Sequence, residues 1–107
     1  GEGSLPARVR AHLLQEQPHW PSLASCALAL NMAVSTLQRR LAEEHTSFRA
    51  VKDSLRRDMA IARLNSSQVP LAVLAGELGF SDSAAFQRAF KGWTGVPPGS
   101  YRHPEQG

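Results

Sequence analysis

Apolar residues recur at three- and four-residue spacing along almost the whole chain, and no run alternates long enough to predict a strand. Leu5, Val9, Leu13 and Leu14 mark a helix over 5–17, ended by Pro18 and Pro21. Ser22 is placed to cap a second helix, with Leu23, Ala24, Ala27, Leu28 and Leu30 mostly inward. After a break at Asn31-Met32, Val34, Leu37 and Leu41 form the inward stripe of a third helix over 34–44. Ser47 is the expected cap of a long helix over 48–65, with Phe48, Val51, Leu55, Met59, Ala62 and Leu64 inward. The run Asn65-Ser66-Ser67-Gln68 reads as a turn, and Pro70 opens a fifth helix over 71–78. Gly79 stands where a left-handed residue ends a helix, and Ser81 or Asp82 caps the sixth. Pro97-Pro98 stops that helix, and one last turn follows over 99–102. The prediction is an all-α fold of about seven helices.

The sixth helix separates its residues most sharply. At about 100° per residue, Phe86, Phe90 and Trp93 share one face, while Ser83, Ala84, Gln87, Arg88 and Lys91 share the other. An aromatic face requires a core to cover it. The opposite face suits the major groove of DNA, where Arg and Gln pair with guanine and adenine edges and small residues allow close approach. In the third helix, Ser35, Gln38, Arg39 and Ala42 lie opposite the apolar stripe in the same way.

The architecture therefore repeats, although the sequence barely does. Helices two and three (22–44) and helices five and six (71–94) each read as a helix-turn-helix, joined by the long central helix (48–65). Such motifs read bases with the N-terminal part of the second helix, and each second helix carries a Gln-Arg pair there. A solvated helix face is the ordinary explanation of one such pair, but it accounts poorly for two in equivalent places. A connector of about 18 residues is roughly 27 Å long, near the 34–36 Å or so between successive major-groove faces. Arg49, Lys52, Arg56, Arg57 and Arg63 on it could approach phosphates or pair with Asp53 and Asp58.

Charge agrees with this reading. Lys and Arg number 12 against 9 Asp and Glu, a net charge of +3, interspersed rather than gathered in a tail. Cys26 is the only cysteine, which excludes an internal disulfide and fits a reducing cytoplasm; its apolar surroundings predict core packing. No apolar stretch approaches the roughly 20 residues of a membrane span, and no signal peptide is evident. Residues 1–4 read as an expression scar or linker, 5–103 as one domain and 104–107 as a frayed tail.

The segment Leu37-Gln38-Arg39-Arg40-Leu41-Ala42-Glu43-Glu44, then Thr46-Ser47-Phe48-Arg49, with Leu78-Gly79-Phe80-Ser81-Asp82 through Pro97-Pro98 and Tyr101-Arg102, resembles the AraC/XylS family of bacterial transcription regulators. The resemblance covers about residues 5–103. It implies a seven-helix domain whose two helix-turn-helix units bind successive major grooves of double-stranded promoter DNA. It also implies contact with RNA polymerase, most often to activate, and an N-terminal sensor or dimerisation domain not included here. On this resemblance the first reading helix uses Ser35, Thr36, Gln38 and Arg39, and the second uses Ser83, Ala84, Gln87 and Arg88. Arg40, Arg49, Lys52, Arg56 and Lys91 are the expected phosphate contacts. Three departures from the family stand out: Ala33 at a capping position, His45 where Gly is frequent, and Val34-Ser35 at the start of the first reading helix.

An enzyme needs a convergent constellation. Cys26 with His12, His19 or His45 has no flanking motif, and no His/Cys pair has ligand spacing within a helix. The sequence thus predicts neither an enzyme, a cofactor nor a metal. The rival reading is a helical protein-interaction module, which would show an exposed apolar patch.

Overall fold

A computed structural model describes residues 3–102 of the chain. Its elements are α1 (Leu5–Gln15), α2 (Leu23–Ala29), α3 (Val34–Glu43), α4 (Phe48–Ser66), α5 (Leu71–Glu77), α6 (Ser83–Thr94) and a 3₁₀ turn (Pro98–Tyr101). No strand occurs among the described residues. The all-α expectation holds, with six α-helices in place of about seven. Pro97-Pro98 removes two N–H donors, so the last element closes only three-residue rings, Ser100 N to Pro97 O (3.1 Å) and Arg102 N to Gly99 O (3.2 Å). The tail over 104–107 and the first two residues lie outside the described residues. Ser4, read above as linker, caps α1 by accepting from Ala7 N at 3.3 Å.

The chain divides into two compact units, one up to Leu55 and one from Arg56 onward, the boundary falling within α4. Among the described residues, the first unit buries only aliphatic side chains and a thiol: Leu5, Val9 and Leu13 of α1, Cys26 and Ala27 of α2, Leu37 and Leu41 of α3, and Val51 and Leu55 of α4. Burial pushes the Cys26 thiol above its ordinary pKa, so it is a protonated packing group. The second unit buries Ala60, Leu64, Leu74, Ala75, Leu78, Phe86, Phe90 and Pro98. Aromatic rings gather around Phe90: Phe86 at 5.8 Å, Trp93 at 6.4 Å and Tyr101 at 5.3 Å, the last nearly perpendicular at 88°.

Backbone chemistry sets the turns. Both helix pairs close with the same pair of hydrogen bonds. Met32 N reaches Ala27 O and Phe80 N reaches Ala75 O, both at 2.9 Å, while Asn31 N reaches Leu28 O and Gly79 N reaches Gly76 O. The left-handed residue is Asn31 in the first turn (φ 58°) and Gly79 in the second (φ 84°). His45 ends α3 with φ 62° and Gly95 ends α6 with φ 86°. Ser22 and Ser47 cap α2 and α4 by accepting from Ser25 N and Ala50 N, each at 3.0 Å. Asp82, not Ser81, caps α6, accepting from Ala85 N at 2.8 Å. Ala33 gives α3 no side-chain cap.

Three expected inward faces are narrower than the sequence pattern suggested. In α2, Ala24 and Leu28 are exposed, Leu28 by 78%, and Cys26 with Ala27 carries the contact. At 100° per residue Leu23, Cys26, Ala27 and Leu30 form one stripe, and Ala24 and Leu28 fall beside it. Val34, at the exposed first position of α3, stays 37% accessible. In α4, Ala62 is exposed and Met59 half-buried, while Ala60 and Leu64 are fully buried. The last two lie about half a turn round from Val51 and Leu55, so a single straight stripe does not describe this helix. The helix also continues to Ser66, through the expected turn.

Two measurements of unfolding in urea check this account. Phe90→Ala should cost about 3–5 kcal/mol, because a fully buried ring leaves a cavity among three others. Ala33→Ser should stabilise by roughly 1 kcal/mol by supplying the missing cap of α3.

Candidate nucleic-acid interface

Burial of one face decides what the other presents. Leu37 and Leu41 are the fourth and eighth residues of α3, and both are fully buried. Phe86 and Phe90 are the fourth and eighth residues of α6, and both are fully buried. The fifth and sixth residues are Gln38-Arg39 in α3 and Gln87-Arg88 in α6. Each Gln-Arg pair is thus held in the same register by the same two anchors.

On α3, Ser35, Gln38, Arg39 and Arg40 are exposed and Thr36 is half-buried. On α6, Ala84, Arg88 and Lys91 are exposed, and Ser83 and Gln87 are half-buried. Gln38 and Arg49 line one recess of about 300 Å³ next to α3, together with Leu23, Ala42 and Phe48. The structure therefore brings a base-reading candidate and a phosphate candidate to one place. Arg49 extends into solvent with its side chain 90% exposed, 3.7 Å from Asp53. Lys52 is half-buried.

Arg56 occupies a different setting from the other cations. Its guanidinium carbon lies 4.2 Å from the centroid of the Phe80 ring and 5.7 Å from that of Trp93, and Nη1 donates to Leu78 O at 3.4 Å. Its place is under the turn between α5 and α6. Arg63 is likewise engaged, donating to both carboxylate oxygens of Glu77 at 3.0 and 2.9 Å. Those hydrogen bonds and the charge of Glu77 push the Arg63 pKa up. Arg102 donates to Ser67 O at 2.5 Å and to Val69 O, fastening the 3₁₀ turn to the connection between α4 and α5.

Two contacts escaped the sequence reading, one at the candidate site and one in the scaffold. Glu43 accepts from Arg39 at 3.1 Å, one turn further along α3; the four-residue spacing was the available signal. Arg102 was visible only as part of a motif, since its carbonyl partners lie 33 and 35 residues away. Among the described residues there is no cluster of His, Cys, Asp and Glu able to hold a metal ion, and no helix long and apolar enough to cross a membrane.

A family model for a helix-turn-helix domain matches residues 26–103. The chain belongs to the AraC-type helix-turn-helix family. The AraC-type domain is similar to the ornithine utilization regulator of Pseudomonas aeruginosa, 40% identical over 101 residues, which is 94% of this chain and 30% of that protein. It is 36% identical to the HTH-type transcriptional regulator VqsM of the same organism over 94% of the chain and 31% of the relative. The crystal structure of the transcriptional regulator CdpR from Pseudomonas aeruginosa superposes with a TM-score of 0.88 at 37% identity, covering 94% of this chain and 32% of that one. The DNA-binding domain of the global transcriptional factor AdpA, solved with a target DNA, shares the fold at a TM-score of 0.78 and 22% identity, over 94% and 91% of the two chains. The chain spans about a third of the length of the curated relatives it matches. Both of these relatives are named as regulators.

Within the second unit, Arg56→Ala should destabilise by about 2 kcal/mol through the lost ring and carbonyl contacts. Arg57→Ala should leave urea unfolding nearly unchanged, because its bond to neighbouring Asp58 is solvent-exposed.

Proposed function

We propose that this domain binds double-stranded promoter DNA in a sequence-specific manner, with α3 and α6 each entering a major groove. The observation that carries the proposal is the identical register of Gln38-Arg39 and Gln87-Arg88 over the buried pairs Leu37/Leu41 and Phe86/Phe90. Arg pairs with guanine through O6 and N7, and Gln with adenine through N6 and N7. Ser35 and Thr36 on α3, and Ser83 and Ala84 on α6, line the start of each helix, where close approach to bases is made.

Arg40, Arg49, Lys52 and Lys91 supply the phosphate contacts that position the domain without reading sequence. Arg56 is assigned to the packing of the second unit, where its guanidinium already lies over Phe80. In the full-length regulator, binding recruits RNA polymerase and activates transcription in the bacterial cytoplasm, under control of an N-terminal sensor or dimerisation domain. The regulator names of the relatives support the regulatory part of this wider reading.

Selection of binding sites from a random duplex pool, at low and moderate salt, tests the proposal. The expected outcome is a site of two unlike motifs at one fixed spacing, with affinity falling steeply as salt rises. A single motif would overturn reading by two helices, and binding that persists at high salt would overturn the proposal in favour of a protein partner. Arg88→Ala should lose about 1–3 kcal/mol on the preferred site and relax the preference at one base position. Quantitative gel-shift titration on single-base variants reads both effects.

A further inference from the structure

We propose that Glu43 is a positioning residue that sets the sequence specificity of α3, and that its replacement by Gly92 at the equivalent place in α6 makes the two helices read DNA with different stringency. This rests on the DNA-reading role assigned above.

Arg39 Nη1 donates to Glu43 Oε2 at 3.1 Å, both side chains being 61% exposed. A pair so open to solvent contributes little to folding, so it is not a scaffold. Its consequence is directional. A guanidinium has five N–H donors in a planar fork. The carboxylate engages one side of that fork and holds it along the helix, and its other donors remain available to a purine edge. The same negative charge repels phosphate oxygens, the competing acceptors for Arg39 near DNA. Glu43 therefore biases Arg39 away from the backbone, which carries no sequence information, and toward bases, which do.

Glu43 is the tenth residue of α3, four after Arg39; the tenth residue of α6, four after Arg88, is Gly92. Arg88 consequently lacks a carboxylate at this spacing on its own helix. It contributes more to affinity on any sequence and discriminates less at its own base. The anchors and the Gln-Arg pairs match in register, so this position is one of the differences between the two faces, beside Thr36 against Ala85 and Arg40 against Ala89.

Site selection and competition titration on four variants test the assignment, with circular dichroism melts confirming that each is folded. Glu43→Gln should raise affinity for nonspecific duplex two- to five-fold, steepen the salt dependence, and flatten the preference at one base position of the α3 motif several-fold. The α6 motif should keep its preferences. In an Arg39→Ala background, Glu43→Gln should no longer alter base preference. Gly92→Glu is the reciprocal variant, and a Cβ there meets no atom within 4 Å. It should lower nonspecific affinity and sharpen one position of the α6 motif. If Glu43→Gln shifts affinity for all sequences by one common factor, equally with and without Arg39, the proposal is overturned and Glu43 is only a diffuse negative charge. A wild-type domain that enriches no motif at all overturns the DNA-reading role, and the role of Glu43 with it.

Discussion

The whole design depends on burying two residues one turn apart on the inner side of each second helix. Leu37 with Leu41, and Phe86 with Phe90, have no solvent exposure. Removing such side chains from water stabilises each helix by several kcal/mol in total, far more than the intrinsic propensity of helices only 10 and 12 residues long. That burial fixes rotation about the helix axis. Once rotation is fixed, the outer residues have no freedom over where they point, and Gln and Arg at the next two positions become a defined surface. The polar faces are therefore a by-product of apolar packing, and any change that loosens the anchors disturbs them together.

Rotation alone does not fix direction, and the turns supply that. In both pairs a left-handed residue follows the first helix, and the same hydrogen-bonded ring forms around it, from Ala27 O to Met32 N and from Ala75 O to Phe80 N. Ala27 and Ala75 are themselves fully or nearly fully buried. A small residue at this place lets the following helix approach closely. After the ring, the second unit has one residue more before its helix begins, and that extra length brings Asp82 to the capping position.

Much of this was legible in the sequence because it depends on local rules. The helices, the capping roles of Ser22 and Ser47, the left-handed Gly79 and the outward placement of Arg39 and Arg88 all follow from spacing and from side chains that bond their own backbone. What was not legible depends on which neighbour arrives. Leu28 looks like a core residue by composition, but α2 is so short that only one stripe of it is covered. Val51 and Leu55 of α4 are buried in the first unit, and Ala60 and Leu64 in the second, each pair by neighbours that the helix pattern does not specify. Arg56 is chemically the same as Arg57, yet only Arg56 lies over Phe80, a contact across 24 positions that no periodicity encodes. The pairing of Arg39 with Glu43 was within reach, since its spacing is one helical turn.

The two units solve the same backbone problems with different residues. Where the second has Gly79, Asp82 and Gly95, the first has Asn31, Ala33 and His45. Each of the first unit's choices is the less favourable one, by something on the order of 1 kcal/mol at the uncapped or left-handed site. The penalties fall at both ends of α3, so this helix has the lower cost of transient fraying. The two second helices, matched in their buried anchors, thus differ in how well their ends are secured.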